Sequence, residues 1–225
     1  MKLSSRLDTI KNKVTRQYDH IWDCCCDHGQ LGIALLASQP KSLIHFVDVV
    51  DELMVELESQ LQKHALKVSS QWQVHCMDVA QLPLVPDKKN LIIIAGVGGD
   101  LLIELVRAIQ TRNQGIELEF ILCPVLHHYK VRTELIDMGF GLVSETLVKE
   151  NKRFYEIIHV SNQAIVPLSN IGSEMWNLSE VDHQEYLQKT ISHYQRMEEN
   201  TKNSSKVSDL YLKLREAMDG FSILN

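Results

Sequence analysis

Asp23-Cys-Cys-Cys-Asp27-His28-Gly29-Gln-Leu-Gly32 is the stretch on which the reading of this chain turns. It follows a short apolar run, His20 to Cys25, and leads into a helical pattern, Leu31 to Ala37. A strand that ends in an acidic, glycine-containing turn and restarts as a helix is where a parallel sheet meets a nucleotide-like ligand, because the helix amides and the tight turn leave room for it. Measured against the pattern acidic-x-Gly-x-Gly-x-Gly, the acid is Asp23 and the last glycine is Gly29, while Cys25 and Asp27 hold the other glycine positions. The same residues also read as an acidic strand-to-helix turn with no ligand.

Working outward, Ser42 to Val49, Asn90 to Ala95 and Glu119 to Cys123 are apolar, partly β-branched runs that read as buried strands, with Trp72 to Met77 weaker. Helical patterns lie between them: Glu52 to His64, with apolar spacing at Leu53, Val55, Leu57 and Leu61, then Leu101 to Gln110 and Val131 to Met138. Alternating strands and helices imply right-handed βαβ units and a parallel sheet covered on both faces. Leu142 to Val148 and Tyr155 to Val160 are separated only by Lys149 to Phe154, too little for a crossover helix, so that pair is expected to be antiparallel. The expectation is an α/β, Rossmann-like sheet of the class I methyltransferase layout, mostly parallel with its last strand antiparallel. After Gly172 the strand signal stops. Leu187, Ile191 and Tyr194 recur at helical spacing, and Val207, Leu210, Leu214, Ala217 and Phe221 follow a 3-4-3-4 seam, with a polar break at Asn200 to Ser205. This predicts a C-terminal helical hairpin, with domains at 1–165 and 166–225.

Composition bounds the rest. A chain of 225 residues with 44% hydrophobic residues suits one catalytic domain and a small appendage. No segment approaches the roughly 18 apolar residues of a membrane span, and the first 19 residues lack the apolar core of a signal peptide, which points to the cytoplasm. The five cysteines, three of them adjacent, form no disulfide framework and no paired Cys-x-x-Cys metal site, so they read as small buried hydrophobes and no metal is expected. The net charge of −6 counts mildly against a nucleic-acid partner. Its distribution matters more: residues 1–20 carry five basic and two acidic side chains, a local +3 that leaves −9 on the remainder.

Four further places carry candidate chemistry. Asp48 ends a strand where an acid receives ribose hydroxyls, with Asp51 and Glu52 as rivals that also suit a helix start. Asp78 ends the next strand, where class I methyltransferases place an acid that accepts the adenine amino group. Ala95-Gly96-Val97-Gly98-Gly99 follows a buried strand and strips side chains from the approach of a substrate. Cys123-Pro124 is followed by His127-His128, an unlikely metal pair because adjacent residues rarely face one site, and by Arg132, suited to bind phosphate or cap a carboxylate.

Taken together the motifs resemble those of the bacterial tRNA (adenine-22-N1) methyltransferases, over nearly the whole chain. Leu3-Ser-Ser-Arg-Leu7 is similar to that family's Leu-Ser-x-Arg-Leu opening, Asp23 with Asp27-His28 to its Asp-x-Gly-x-Asp-His motif, Ala95 to Gly99 to its Ala-Gly-Met-Gly-Gly loop, and Tyr155-Glu156 to a Tyr-Glu pair on its last strand. Cys25 replaces the motif glycine, Val97 a methionine, and Cys123 the glutamine of a Gln-Pro pair. The resemblance implies methyl transfer from S-adenosylmethionine to N1 of a tRNA adenine. On that reading Asp27 and His28 lie near the reacting centre. Asp23, Cys25, Asp27, Gly29, Asp48, Asp78, Ala95, Gly96 and Gly98 hold the cofactor. Gly96, Gly98 and Gly99 leave space for the base, Gly98, Gly99 and Arg132 count among the substrate contacts, and Arg6, Lys11, Lys13 and Arg16 meet phosphates. Two alternatives share parts of it: a methyltransferase with a small-molecule acceptor, and an RNA-binding module whose cofactor site has decayed at Cys25. An NAD-dependent oxidoreductase would need Gly-x-Gly-x-x-Gly after the first strand, and the chain offers Asp-x-Cys-x-Asp-x-Gly.

Overall fold

The apolar runs become a single sheet in a computed structural model that describes residues 3–64, 71–201 and 206–222. The elements are α1 (Ser5–Lys13), β1 (His20–Cys24), α2 (Gln30–Ser38), β2 (Leu43–Asp48), α3 (Asp51–His64), β3 (Trp72–Cys76), a 3-10 turn (Val79–Gln81), β4 (Asn90–Ala95), α4 (Gly99–Arg112), β5 (Glu119–Cys123), α5 (His128–Asp137), β6 (Gly141–Glu150), β7 (Arg153–Ser161), β8 (Val166–Pro167), α6 (Val181–Thr201) and α7 (Val207–Ser222). The sheet order is β3-β2-β1-β4-β5-β7-β6-β8. Strands β1 to β5 pair in parallel, whereas β7, β6 and β8 join antiparallel. This is the Rossmann-like α/β fold expected, mostly parallel with antiparallel last strands. Asn151 and Lys152, both at positive φ, make the two-residue turn between β6 and β7.

Alternate side chains of the strands feed two cores. Trp22, Cys24, Val47, Ile92, Ile94 and Leu122 pack with residues of α4 and α5, while Ile21, Ile44, Phe46, Leu91 and Ile93 pack with residues of α1, α2 and α3. Burial on both faces is why the strands read as continuous apolar runs. In α3 the buried positions are Met54, Leu57 and Leu61, and Val55 is 61% exposed, so the expected stripe is turned by one residue at its start. Helix α1 had no periodic signal: it is polar, and only Ile10 along it is fully buried. Ser4 caps it by accepting from the Leu7 amide at 3.4 Å.

Buried polar groups are matched to partners. The Arg132 side chain is 0% exposed, with Nη1 2.7 Å from Glu145 Oε2 and Nε donating to Glu156 at 2.7 Å. It therefore fastens α5 to the β6–β7 pair and meets no solvent, which corrects its placement among the substrate contacts in favour of a carboxylate cap. Glu119, at the start of β5, accepts from Tyr18 (2.6 Å) and Arg16 (2.5 Å) and pairs with His159 (2.6 Å). Burial alone would raise its pKa, but His159, Tyr18 and Arg16 together hold it at about 2.

The division into compact units falls after Asn170, and β8 extends the sheet past residue 165. In unit 171–225, Leu187 and Ile191 of α6 are buried with Trp176 and Tyr186, whose rings stack at 5.6 Å. On α7 the buried residues are Ser208 and Tyr211; Val207, Leu210 and Leu214 are half-buried and Ala217 is exposed, so the expected seam is displaced by one position. Tyr211 stacks on Tyr194 at 5.8 Å. The Ser208 amide and hydroxyl both donate to Glu198, joining the start of α7 to the end of α6. Residues 202–205 of the expected break, and the side chain of Phe221, lie outside the described residues. Among the described residues no helix is long and apolar enough to cross a membrane.

Three strands contribute a histidine ladder that no sequence pattern announced. His20 Nδ1 lies 2.9 Å from His45 Nε2, His45 Nδ1 lies 3.0 Å from His75 Nε2, and the His45 ring lies parallel over Trp22 at 3.7 Å. Burial first, then His75 and His20, push His45 down to about 3. The unfolded chain therefore takes up a proton near pH 6.5 that the fold refuses until about 3, so this group costs stability progressively as pH falls through that window. His45→Phe keeps the stack and removes the titration. Urea unfolding between pH 7 and 4 should then lose up to about 1.4 kcal/mol per pH unit of slope; an unchanged slope would show that the ladder does not govern acid stability.

Candidate active site at the carboxyl edge of the sheet

The turn after β1 leaves the sheet at its carboxyl edge and passes through left-handed backbone at Cys25 (φ 55°), Asp27 (φ 51°) and Gly29 (φ 64°). Such a conformation costs a residue with a Cβ about 1 kcal/mol or more, so local bonds must hold it. The Asp27 amide donates to Asp48 Oδ2 at 3.1 Å, and Asp48 Oδ1 accepts from the amides of Val49 and Val50. The Gly32 amide donates to Asp23 Oδ2 at 2.8 Å. At Gly32 a Cβ would stand 2.2 Å from the Phe46 ring, so only glycine lets α2 lie this close to β2. The sequence marked Asp48 as a ligand-binding acid; it is also the clamp of this turn.

A cleft opens over the turn, lined by Leu7, Asp23, Cys24 to Cys26, Asp27, His28 and Ala95. Among the described residues no lysine or arginine lines it. Burial, together with Asp48 and against the Gly32 hydrogen bond, raises Asp23 to about 7. Burial followed by the charges of Asp48, Asp23 and Asp78 pushes Cys25 up to about 11, and burial with Asp23 and Asp48 raises Cys26 as well. These thiols stay protonated and are poor nucleophiles. Cys24 and Cys123 are the buried hydrophobes expected, but Cys25 and Cys26 are half-buried and Cys76 is exposed. Asp27 and His28 stand on the rim, 70% and 57% exposed, with Oδ1 and Nε2 3.6 Å apart. Asp78 is exposed and caps the 3-10 turn by accepting from the Ala80 amide.

The glycine loop follows β4 beside the cleft. Gly96 is at φ 85°, and a Cβ on Gly98 would meet nothing within 4 Å, so both present open backbone. Gly99 is different: its Cβ would stand 2.5 Å from the Leu126 carbonyl oxygen, which assigns it to packing against the loop after β5 rather than to contact with a substrate. His127 pairs with Asp100 at 2.9 Å, and His128 begins α5. Of the basic residues expected at phosphates, Arg6 alone reaches this edge, beside Gly96. Lys11 pairs with Asp8 (2.7 Å), Lys13 donates to Ser144, and Arg16 joins the Glu119 cluster where β1, β4 and β5 begin.

A sheet of this order, with an acid-rich cleft at the carboxyl end of its first strand, defines a Rossmann-like methyltransferase domain. Residues 3–158 match the family described as "Methyltransferase domain", and the chain belongs to that family. A tRNA (adenine(22)-N(1))-methyltransferase of Bacillus subtilis is 25% identical over 158 residues, which are 70% of this chain and 64% of that protein. The solved structure of the B. subtilis m1A22 tRNA methyltransferase superposes with a TM-score of 0.70 at 19% identity, covering 99% of this chain and 97% of that one. The structure of M. capricolum TrmK with S-adenosyl-homocysteine gives 0.69 at 16% identity, covering 97% of this chain and 96% of that one.

The Asp23 carboxyl yields a test of the site's electrostatics. Its proton is released near 3.8 in the unfolded chain but held to about 7 in the fold, so stability declines as pH rises from about 4 to 7. Asp23→Asn keeps an acceptor for the Gly32 amide without the charge. It should stabilise the protein by on the order of 2 kcal/mol at pH 8 and by much less at pH 4. A gain that does not vary with pH would assign it to something other than the buried charge.

Proposed function

We propose that this protein transfers the methyl group of S-adenosylmethionine to N1 of an adenine in tRNA, at position 22. The observation that carries the reading is the cleft itself: Asp23, Asp27, Asp48 and Asp78 gather around Cys25, and among the described residues no lysine or arginine is in the lining. Carboxylates repel a pyrophosphate and suit a ligand that joins an adenosine to a positively charged sulfonium. Asp48 accepts three backbone hydrogen bonds, which leaves one of its roughly four lone-pair directions for a ribose hydroxyl. Asp23, Cys25, Gly29, Asp78, Ala95, Gly96 and Gly98 complete the set that would hold the cofactor. The tRNA acceptor rests on the relatives, whose likeness runs through the C-terminal helices as well as the sheet. With tRNA as acceptor, the cytoplasm is the compartment.

When bound, S-adenosylmethionine would supply an electrophilic methyl group to the lone pair of adenine N1, with the sulfur leaving as the thioether of S-adenosylhomocysteine. The residues of this chain then have a positioning task. Adenine N1 needs no strong base. Methylation makes the base cationic, so the exposed Asp27 carboxylate, beside His28, accepts from the adenine amino group and offsets the developing charge. The open backbone of Gly96 and Gly98 leaves room for a base taken out of its stack.

Incubation with labelled S-adenosylmethionine and unmodified bacterial tRNA should yield 1-methyladenosine on nucleoside analysis. Asp27→Ala should lower turnover by about a hundredfold or more while the protein stays folded; near-normal turnover removes Asp27 from the mechanism. The net charge of −6 favours a second reading, transfer to a small molecule. Cofactor binding without any tRNA methylation would select it. We further assign tRNA binding to the C-terminal helices. Removal of residues 173–225 should weaken tRNA binding while sparing S-adenosylhomocysteine binding, and equal loss of both would refute that assignment.

A further inference from the structure

Arg6 differs from several other cations of the sheet domain. Arg16, Arg107 and Arg132 each face a carboxylate, as do Lys11 and Lys130. Among the described residues no carboxylate forms an ion pair with the Arg6 guanidinium. Its backbone amide donates to Glu150 at 2.8 Å, which fixes the first turn of α1 on β6. Its guanidinium lies over the Tyr155 ring, 4.9 Å from the centroid, and reaches the Cys123 thiol. Nη1 would stand 3.5 Å from a Cβ on Gly96. Nε is buried and has no acceptor.

A buried guanidinium N–H without a partner is costly, and the planar fork presents parallel donors that match a two-oxygen anion. Tyr155 and Cys123 immobilise the group, and the absent side chain of Gly96 leaves its approach open. The next residue, Leu7, already lines the acidic cleft. The half-buried Arg6 guanidinium is thus held by Tyr155 and Cys123 beside the acidic cleft, with its Nε buried and, among the described residues, no ion-paired carboxylate.

We propose that Arg6, stacked on Tyr155, is a binding subsite for an oxyanion and positions it against the methyl-transfer centre. This rests on the methyltransferase reading above. Two groups carry the required chemistry: the amino-acid carboxylate of the cofactor and a phosphate of the acceptor nucleotide.

The test measures wild type, Arg6→Gln and Arg6→Lys for thermal midpoint, for binding of S-adenosylhomocysteine and of 5′-methylthioadenosine, which lacks the carboxylate, and for the KM of unmodified tRNA. If Arg6 grips the carboxylate, Arg6→Gln weakens S-adenosylhomocysteine by about tenfold or more and leaves 5′-methylthioadenosine unchanged. If it grips a phosphate, both nucleosides bind as before, the KM for tRNA rises by about tenfold, and its salt dependence becomes shallower. In either case Arg6→Lys restores only part of the loss, because the ammonium lacks the fork. Tyr155→Leu, which frees the guanidinium without removing it, reproduces a smaller loss in the same arm. Changes below about twofold in every arm, or equal weakening of both nucleosides with a lowered midpoint, overturn the proposal in favour of a packing role. Failure of the wild type to bind S-adenosylhomocysteine overturns the methyltransferase reading itself, and this inference with it.

Discussion

The chain must reverse from β1 into α2 within a few residues, and it does so with two left-handed residues that carry side chains. That reversal sets the position of everything at the carboxyl edge. Cys25 and Asp27 occupy backbone that favours glycine, and they are kept there by Asp48 from the neighbouring strand and by the Asp23 bond to Gly32. The two acids are thereby tied to structure before any ligand is considered. Burying Asp23 raises its pKa to about 7, a cost set against its hydrogen bond from the Gly32 amide. The same reversal brings Cys25 and Cys26 into the cleft, where burial and nearby acids keep them as thiols.

Charge is sorted by edge. At the amino edge, Glu119 collects Tyr18, Arg16 and His159, so the positive charge near the N-terminus is largely spent on the fold. In the interior, Arg132 satisfies two glutamates and fastens α5 to the antiparallel strands; removing one partner from such a cluster typically costs about 3–5 kcal/mol. At the carboxyl edge the lining of the cleft carries Asp23 and Asp27, with Arg6 beside it. A net charge of −6 therefore describes the surface poorly, since the sign of the field depends on which edge a partner meets.

The strands and most helices were legible because each pays its hydrophobic pattern into one of two cores. Helix α1 was not, since a short polar helix is fixed by contacts far away in sequence, Arg6 to Glu150 and Lys13 to Ser144. The stripe on α3 and the seam on α7 were each misplaced by one residue, because neighbouring apolar residues give nearly the same period and only packing chooses between Met54 and Val55, or between Tyr211 and Leu210. The histidine ladder was hidden for a related reason: His20, His45 and His75 are neighbours only across paired strands.

By itself the sequence determined the alternation of elements, the antiparallel close of the sheet, the helical C-terminal segment and the acidic turn after the first strand. Those are local properties, carried by periodicity and by residue types at fixed spacing. Tertiary structure alone decided which charges meet. It buried Arg132 between Glu145 and Glu156, drew Arg16 to Glu119, turned Gly99 inward and left Arg6 over Tyr155 with no ion-paired carboxylate among the described residues. An arginine carries the same charge wherever it stands in the chain. Its role follows from burial and from the nearest carboxylate, and both depend on residues from other elements, 24 positions away for Arg132 and Glu156 and 103 for Arg16 and Glu119.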